Sequence, residues 1–448
     1  MRTLFGTDGI RGKANKYPMT SELAMKLGKA VAIHFRENES SPKIIIGKDT
    51  RVSGYMLETA LTSGLVAMGA TVLLAGPMPT PAISHLARSL NADAGIMISA
   101  SHNPAEDNGI KIFDSKGYKL SDEAEEKIEK IIFSKEMENG TLNGHEIGKA
   151  FRVEDAKGRY VEFAKNSIKN FSLKGLKIIV DCANGAAYKV APDILSELGA
   201  EVIAINNTPN GLNINDNCGA TNTDSLAKKV LEENADLGIA LDGDADRVII
   251  IDSDGNEING DRIMACLAIE LKENKQLNNN SIIATVMSNA GFEKHLKENG
   301  IKVIRANVGD RYVIEEMLKQ NINFGGEQSG HIIFGDYSTT GDGIITALQL
   351  LKLIKEKNKS VSELCNGFEL FPQILVNVKV KEKKPVEKLR ANSMINEIQS
   401  ELGDNGRVLV RYSGTENICR VMLEGKDYSK ISSFAEKIAD SITKEIGA

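Results

Sequence analysis

Ala92-Asp93-Ala94-Gly95-Ile96-Met97-Ile98-Ser99-Ala100-Ser101 and Ala235-Asp236-Leu237-Gly238-Ile239-Ala240-Leu241-Asp242-Gly243-Asp244 are two versions of one pattern. Each has an Ala-Asp entry, a short apolar run, and then a loop of small and functional residues. A short apolar run bounded by turn residues reads as a buried strand. A third, weaker version is Asn321-Ile322-Asn323-Phe324-Gly325-Gly326-Glu327-Gln328-Ser329-Gly330-His331. Two further strand candidates precede each version, at 43–47 and 70–75, at 177–180 and 200–205, and at 281–286 and 300–305. Helical spacing lies between them, as in Met56, Leu57, Ala60, Leu61 and Leu65 after Ser53. Strands alternating with helices indicate α/β units.

Working outward, the chain of 448 residues is too long for one ordinary core; length alone suggests about three domains. The repeat predicts three related α/β domains with mixed sheets, followed by a C-terminal α+β domain. The expected boundaries are 1–150, 151–252, 253–368 and 369–448. The last part opens with alternation in Ile374, Val376, Val378 and Val380. It continues with a helical pattern at 384–402, strands at 408–410 and 420–423, and a helix from about Ser429. Expected linkers are the Gly/Asn-rich stretch 139–144 and residues 366–368. Ligands gather at the carboxyl ends of strands in α/β sheets. If the domains surround one cleft, the three repeat loops can face one ligand.

Composition narrows the function classes. Tryptophan is absent and aromatics make up 5% of the chain, which disfavours a stacking platform for nucleic acid. A net charge of −6 asks for no polyanionic partner. Five scattered cysteines without a C-x-x-C pair read as reduced thiols of a cytoplasmic protein. The start has no apolar signal core. The longest apolar stretch, at 64–75, is short and broken by glycine, against the ~20 residues of a membrane span.

Four segments carry chemistry. Ser99-Ala100-Ser101-His102-Asn103-Pro104 presents a hydroxyl nucleophile where a strand ends. Serine, asparagine and proline also suit a plain turn. Asn108-Gly109 nearby reads as a second tight turn, and Lys111 is placed to reach a phosphate or move a proton. No Gly-x-Ser-x-Gly elbow supports acyl transfer. Asp242, Asp244 and Asp246 repel one another without a cation, and three oxygen ligands suit Mg²⁺. An EF-hand is excluded because Arg247 and Ser253 occupy its sixth and twelfth positions. Arg411-Tyr412-Ser413-Gly414-Thr415-Glu416 offers a guanidinium, hydroxyls and a glycine turn for phosphate. Glu327, Gln328 and Ser329 suit sugar hydroxyls or an amine. Near the start, Gly6-Thr7-Asp8-Gly9-Ile10-Arg11-Gly12 lacks the Walker A ending. No histidine pair has zinc spacing. His34, His85, His145 and His295 are expected on helices or the surface.

Together with Phe5 to Gly12, Asp107 to Lys111 and Gly326 to His331, these segments resemble the α-D-phosphohexomutases along the whole chain. The resemblance implies four domains around a central cleft. It implies a phosphoserine at Ser101, and Mg²⁺ held by Asp242, Asp244, Asp246 and the seryl phosphate. Lys111 and Arg11, with His102 beside the serine, would serve proton transfer and charge stabilisation. Glu327 and Ser329, with Gln328 and His331, would line the sugar site. Arg411, Ser413, Gly414 and Thr415 would hold the non-reacting phosphate, with Arg247 in the cleft. The implied reaction is a double phosphoryl transfer through a hexose 1,6-bisphosphate. The Phe5–Gly12 and Gly326–His331 segments look most like members that interconvert glucosamine 6-phosphate and glucosamine 1-phosphate for UDP-N-acetylglucosamine synthesis. Glucose or mannose phosphate is the nearest alternative substrate; a phosphatase or a non-catalytic sugar-phosphate binder is more distant. A glucose or glucosamine 1,6-bisphosphate, or a kinase, is expected to load Ser101. The expected partner is a hexosamine phosphate, without nucleic acid or membrane, and a homodimer is compatible. Two departures stand out: Asn417 where the family often has proline, and Ala245 in place of a second glycine.

Overall fold

A computed structural model describes residues 3–6, 8–36, 41–134, 142–413 and 417–448. It contains four sheets. The first comprises β1 (Ile10–Lys13), β2 (Lys43–Lys48), β3 (Thr71–Pro77), β4 (Ala94–Ile98), β5 (Asp107–Asp114) and β6 (Ala150–Arg152), in the order β1-β5-β4-β2-β3-β6. The second comprises β7 (Lys177–Asp181), β8 (Glu201–Ile205), β9 (Leu237–Leu241), β10 (Val248–Asp252) and β11 (Glu257–Ile258), in the order β11-β10-β9-β7-β8. The third comprises β12 (Ser281–Thr285), β13 (Lys302–Ala306), β14 (Phe324–Gly326) and β15 (Ile332–Phe334), in the order β13-β12-β14-β15. The fourth is antiparallel, with β16 (Gln373–Lys379), β17 (Gly406–Tyr412) and β18 (Ile418–Gly425) in the order β16-β18-β17.

The repeat is topological as well as textual. In each of the first three sheets the first repeat strand lies between the second and the third. The third strand runs parallel to the first in all three, as β2–β4, β7–β9 and β12–β14. An antiparallel strand then returns beside it, as β4–β5, β9–β10 and β14–β15. The return loops are the serine loop, the aspartate loop and the Glu327 loop. β4 and β9 are buried along their full length. Strands covered on both faces read as continuous apolar runs rather than alternating ones, which is why they are so conspicuous in the sequence.

The described residues form two compact units, Met1–Val286 with Ile304–Cys365, and Met287–Val303 with Asn366–Ala448. In the second unit, the helix Ala290–Glu298 joins the C-terminal sheet. Asn289 Nδ2 donates to Phe371 O at 2.9 Å, and Ala290 N donates to Glu424 Oε2 at 2.9 Å. The last helix, Tyr428–Ile446, buries Ile431, Ala435, Ile438, Ala439, Ile442 and Ile446. That spacing of three and four puts one apolar stripe on the sheet. Asp427 caps the helix by accepting from Lys430 N at 3.0 Å. Each buried isoleucine contributes about 1.5–3 kcal/mol, so Ile438→Asp would detach the helix. The helix expected at 384–402 begins only at Ala391, after a short 3₁₀ turn at Val386–Lys388. Pro385 disfavours helix in the residue before it. All five cysteines are buried and none is in a disulfide. Among the described residues no helix is long and apolar enough to cross a membrane.

Candidate functional site

The serine and aspartate loops meet in the first unit. Ser101 follows β4 and takes a left-handed conformation, φ 49°. Its Oγ donates to Asp242 Oδ2 at 2.6 Å, across 141 residues of sequence. His102 Nδ1 lies 3.3 Å from Ser101 Oγ. Glycine at 243 permits this approach. A Cβ there would stand 2.6 Å from Ser101 O and 2.8 Å from Asn215 Nδ2. Thr80 braces the aspartate loop, donating from N to Asp244 O at 2.9 Å and from Oγ1 to Asp244 Oδ2 at 2.5 Å.

Asp242, Asp244 and Asp246 are all buried, and their ligand atoms lie within 4.8 Å of one another. Asp244 Oδ1 and Asp246 Oδ1 are buried without a hydrogen-bond partner. Leaving such oxygens unsatisfied is costly. Burial, then the charges of Asp246 and Asp244, push the Asp242 carboxyl well above the usual range. Burial works the same way on Asp246, but Lys111, His331 and Arg247 outweigh it and hold that carboxyl well below its usual value. Three crowded carboxylates with free lone pairs are the donor set of a hard divalent cation, and the residues fit one.

Cations surround this cluster. Lys111 Nζ stands 2.9 Å from Asp244 Oδ2 and 3.4 Å from both Asp246 Oδ2 and Asp8 Oδ2. Burial works against its charge, yet Asp244, Asp8 and Asp246 outweigh it and hold the ammonium well above its ordinary pKa. Arg11 pairs with Asp8, and Lys119 bridges Asp8 and Asp310. Beside the cluster lies a cavity of about 510 Å³, whose walls include Arg11, Ser101, His102, Arg247, Glu327 and His331. Burial, then Arg247 and Arg11, pull His102 down to about 4, so it is neutral at neutral pH.

Of the third loop, Glu327 and His331 line this cavity, whereas Ser329 does not. Glu327 Oε1 accepts from Gly309 N at 3.0 Å, and its Oε2 accepts from Ser329 Oγ at 3.2 Å. Gln328 is not on the cavity wall; its carbonyl accepts from Gly260 N at 3.0 Å. His331 Nε2 accepts from Gly341 N at 3.1 Å. Its Nδ1 is 3.6 Å from Asp246 Oδ1; burial works against a charge on the ring, but Asp246 and Asp310 outweigh it and raise the imidazole's pKa. Arg411 and Ser413 belong to the second unit. Arg411 Nη2 lies 3.9 Å from Met287 Sδ. Ser413 is buried, with its N donating to Ile418 O at 2.8 Å and its O accepting from Lys383 Nζ at 2.7 Å. Gly414 and Thr415 lie outside the described residues.

One expectation is corrected. Asn108-Gly109 is no turn but part of β5, between β1 and β4. Glycine is required there by packing: a Cβ would stand 2.5 Å from Ser99 O and 3.1 Å from Ile10 O. Sequence reasoning did not single out Asp8, Thr80, Lys119 or Asp310. Asp8 lay within the glycine-punctuated N-terminal loop. Lys119 and Asp310 carry no local signal, because only the tertiary fold pairs them.

Comparison with known proteins fits this geometry. Four family models match: phosphoglucomutase/phosphomannomutase alpha/beta/alpha domain I over residues 2–139, domain II over 158–255, domain III over 259–371 and the C-terminal domain over 375–441. The chain belongs to the phosphoglucomutase/phosphomannomutase family, the α-D-phosphohexomutases. Within it, the chain is 54% identical to the phosphoglucosamine mutase of Geotalea daltonii, over 100% of this chain and 99% of that one. It is 53% identical to the phosphoglucosamine mutase of Geobacter metallireducens, with both chains covered in full. Among solved structures, a family member from Burkholderia thailandensis superposes with a TM-score of 0.81 at 23% identity, covering 99% of both chains. The N-acetylphosphoglucosamine mutase of Aspergillus fumigatus, solved with GlcNAc-6P and magnesium, gives a TM-score of 0.67 at 18% identity, covering 99% of this chain and 96% of that one.

Proposed function

We propose that this chain is a phosphoglucosamine mutase, an isomerase that interconverts glucosamine 6-phosphate and glucosamine 1-phosphate. The observation that carries the chemistry is the 2.6 Å hydrogen bond from Ser101 Oγ to Asp242, at the rim of three crowded carboxylates. The names of the full-length relatives carry the choice of sugar. A hydroxyl alone gives no reason for such a metal seat, and a seryl phosphate does.

In this reading Ser101 carries a phosphoryl group. Asp242, Asp244 and Asp246, together with the seryl phosphate, would hold Mg²⁺, which would supply positive charge against the phosphoryl group. The P–Oγ bond breaks as a sugar hydroxyl oxygen bonds to phosphorus. The sugar hydroxyl loses its proton and Ser101 Oγ gains one. The product is a 1,6-bisphosphate. It turns within the cavity and returns its other phosphate to Ser101, freeing the isomer. His102 is neutral beside Oγ and can accept a proton. Lys111 is held charged, so it acts as a fixed cation rather than a resting base. Arg11 and Arg247 face incoming phosphate. Positioning and electrostatics dominate phosphoryl transfer, and a fixed cation needs no reorganisation.

Glu327 and Ser329 hold sugar hydroxyls, with His331 behind them and Gln328 shaping the loop. Arg411, Ser413, Gly414 and Thr415 hold the other phosphate. A bisphosphate or a kinase loads Ser101. The boundaries 150/151, 252/253 and 368/369 separate four domains, a division supported by the four family-model matches. The five buried thiols support a reducing cytoplasmic setting, and a homodimer is compatible with it.

The test is turnover of glucosamine, glucose and mannose 6-phosphates by the purified chain, with intact mass locating phosphate on Ser101. Glucosamine phosphate is expected to isomerise fastest, and Ser101→Ala to abolish turnover. Faster turnover of glucose or mannose phosphate overturns the sugar assignment. Release of free phosphate in place of an isomer overturns the reaction.

A further inference from the structure

We propose that Arg51, acting with Asp49 and Ser99, is the positioning device that holds Ser101 in its reactive conformation. This rests on the reading of Ser101 as a phosphoryl carrier. Arg51 follows β2 and is completely buried. Its Nη2 donates to Ser101 O at 3.0 Å and to Asn103 O at 2.8 Å. Its Nη1 donates to Asp107 O at 3.0 Å and also to Pro104 O. One guanidinium thus gathers four carbonyls of the serine loop.

The circuit closes on the other side of Ser101. Arg51 Nε donates to Asp49 Oδ2 at 2.9 Å. The same oxygen accepts from Ser99 Oγ at 2.6 Å, and Ser99 Oγ accepts from Ser101 N at 2.9 Å. The N–H and C=O of Ser101 are therefore both tied to one buried ion pair. Asn215, from the second repeat, donates to Ser101 O at 2.9 Å and Asn103 O at 3.0 Å.

This circuit answers a specific need. A left-handed backbone is unfavourable for a residue bearing Cβ, and glycine, which adopts it freely, has no hydroxyl. The strain must be held from outside, as it is at many active sites. The guanidinium also draws four carbonyl oxygens toward itself, keeping their partial negative charge away from a phosphate on Oγ. Lysine cannot replace it, because an ammonium lacks the planar five-donor fork. None of the three side chains lines the cavity, so they act through Ser101 rather than on substrate.

The test compares wild type with Ser99→Ala, which removes the acceptor for Ser101 N–H and keeps the Arg51–Asp49 pair. Both are purified with Mg²⁺ and phosphorylated on Ser101. A misplacement near 1 Å costs about 10²-fold. The variant should lose roughly 10- to 100-fold in kcat, keep KM within about twofold because no substrate contact is touched, and shift or broaden the ³¹P resonance of phospho-Ser101. Arg51→Lys, which keeps the charge and loses the fork, should do the same; if it fails to fold, Ser99→Ala decides. A Ser99→Ala enzyme with wild-type kcat and ³¹P spectrum overturns the proposal, as does a loss of rate equal to the unfolded fraction on a melting curve. Failure of the underlying reading shows separately, as a wild type without phosphate on Ser101 and without isomer formation.

Discussion

Gly243→Ala is a sharp test of how the two loops meet. The new methyl group would stand 2.6 Å from Ser101 O, 2.8 Å from Asn215 Nδ2 and 2.8 Å from Ile214 Cδ1. Real Cβ atoms essentially never come within 3.0 Å of such neighbours, so the loops must separate by several tenths of an ångström. The Ser101 carbonyl has little room to yield, since Asn215 and Arg51 both hold it. Overpacking of this kind costs about 1–3 kcal/mol. The same displacement lengthens the reach from Ser101 Oγ to Asp242, and kcat should fall by roughly 10- to 100-fold. Urea melts give the stability and a coupled mutase assay gives kcat; the enzyme should remain folded but slow. A variant matching wild type in both would refute the contact between the loops.

Three further expectations follow from the same geometry. In EDTA the protein should be inactive, and Mg²⁺ at a hundred times its dissociation constant should stabilise it by about 2.7 kcal/mol; Asp244→Asn should lose most of that gain, and a melting temperature indifferent to Mg²⁺ would contradict the seat. Lys111→Met removes the cation facing Asp244 and Asp246 and should cut kcat about 10²- to 10³-fold, whereas an active variant would assign the charge to another group. Asp342 caps the helix Gly343–Lys357 and accepts from Tyr160 OH at 3.0 Å, and burial pushes its pKa up to about 6. The folded state then binds this proton more tightly than the unfolded chain, so the stability this group contributes is full below about pH 4 and is lost as pH rises from about 4 to 6. The fall attributable to this group is about 3 kcal/mol. Asp342→Asn keeps the cap and should flatten that part of the profile in EDTA, and an unchanged slope would count against it.

Much of the fold was legible because its central strands are buried on both faces. Leu237–Leu241 and Ala94–Ile98 announce themselves as unbroken apolar runs with functional loops behind them. The repeat then gave a reason for distant loops to converge. The exchange at Asn108-Gly109 shows the limit. The pair has turn composition, but the glycine is there because Ser99 O and Ile10 O crowd it, and local sequence does not record neighbours across a sheet. The ion chain through Asp8, Lys119 and Asp310 was hidden for the same reason: 191 residues separate Lys119 from Asp310. Arg51 carries no local signal either, because its four carbonyl partners lie 50 or more residues away in the serine loop.

The 141 residues between Ser101 and Asp242 also set a schedule. Chains are synthesised at about 5–20 residues per second, and domains fold as units, N-terminal first. Ser101 therefore leaves the ribosome roughly 7–30 s ahead of the aspartates. During that interval the nascent chain presents a nucleophile with no metal seat and no opposing wall. The chemistry is switched on by the completion of translation, and a chain released early keeps the serine without the means to use it.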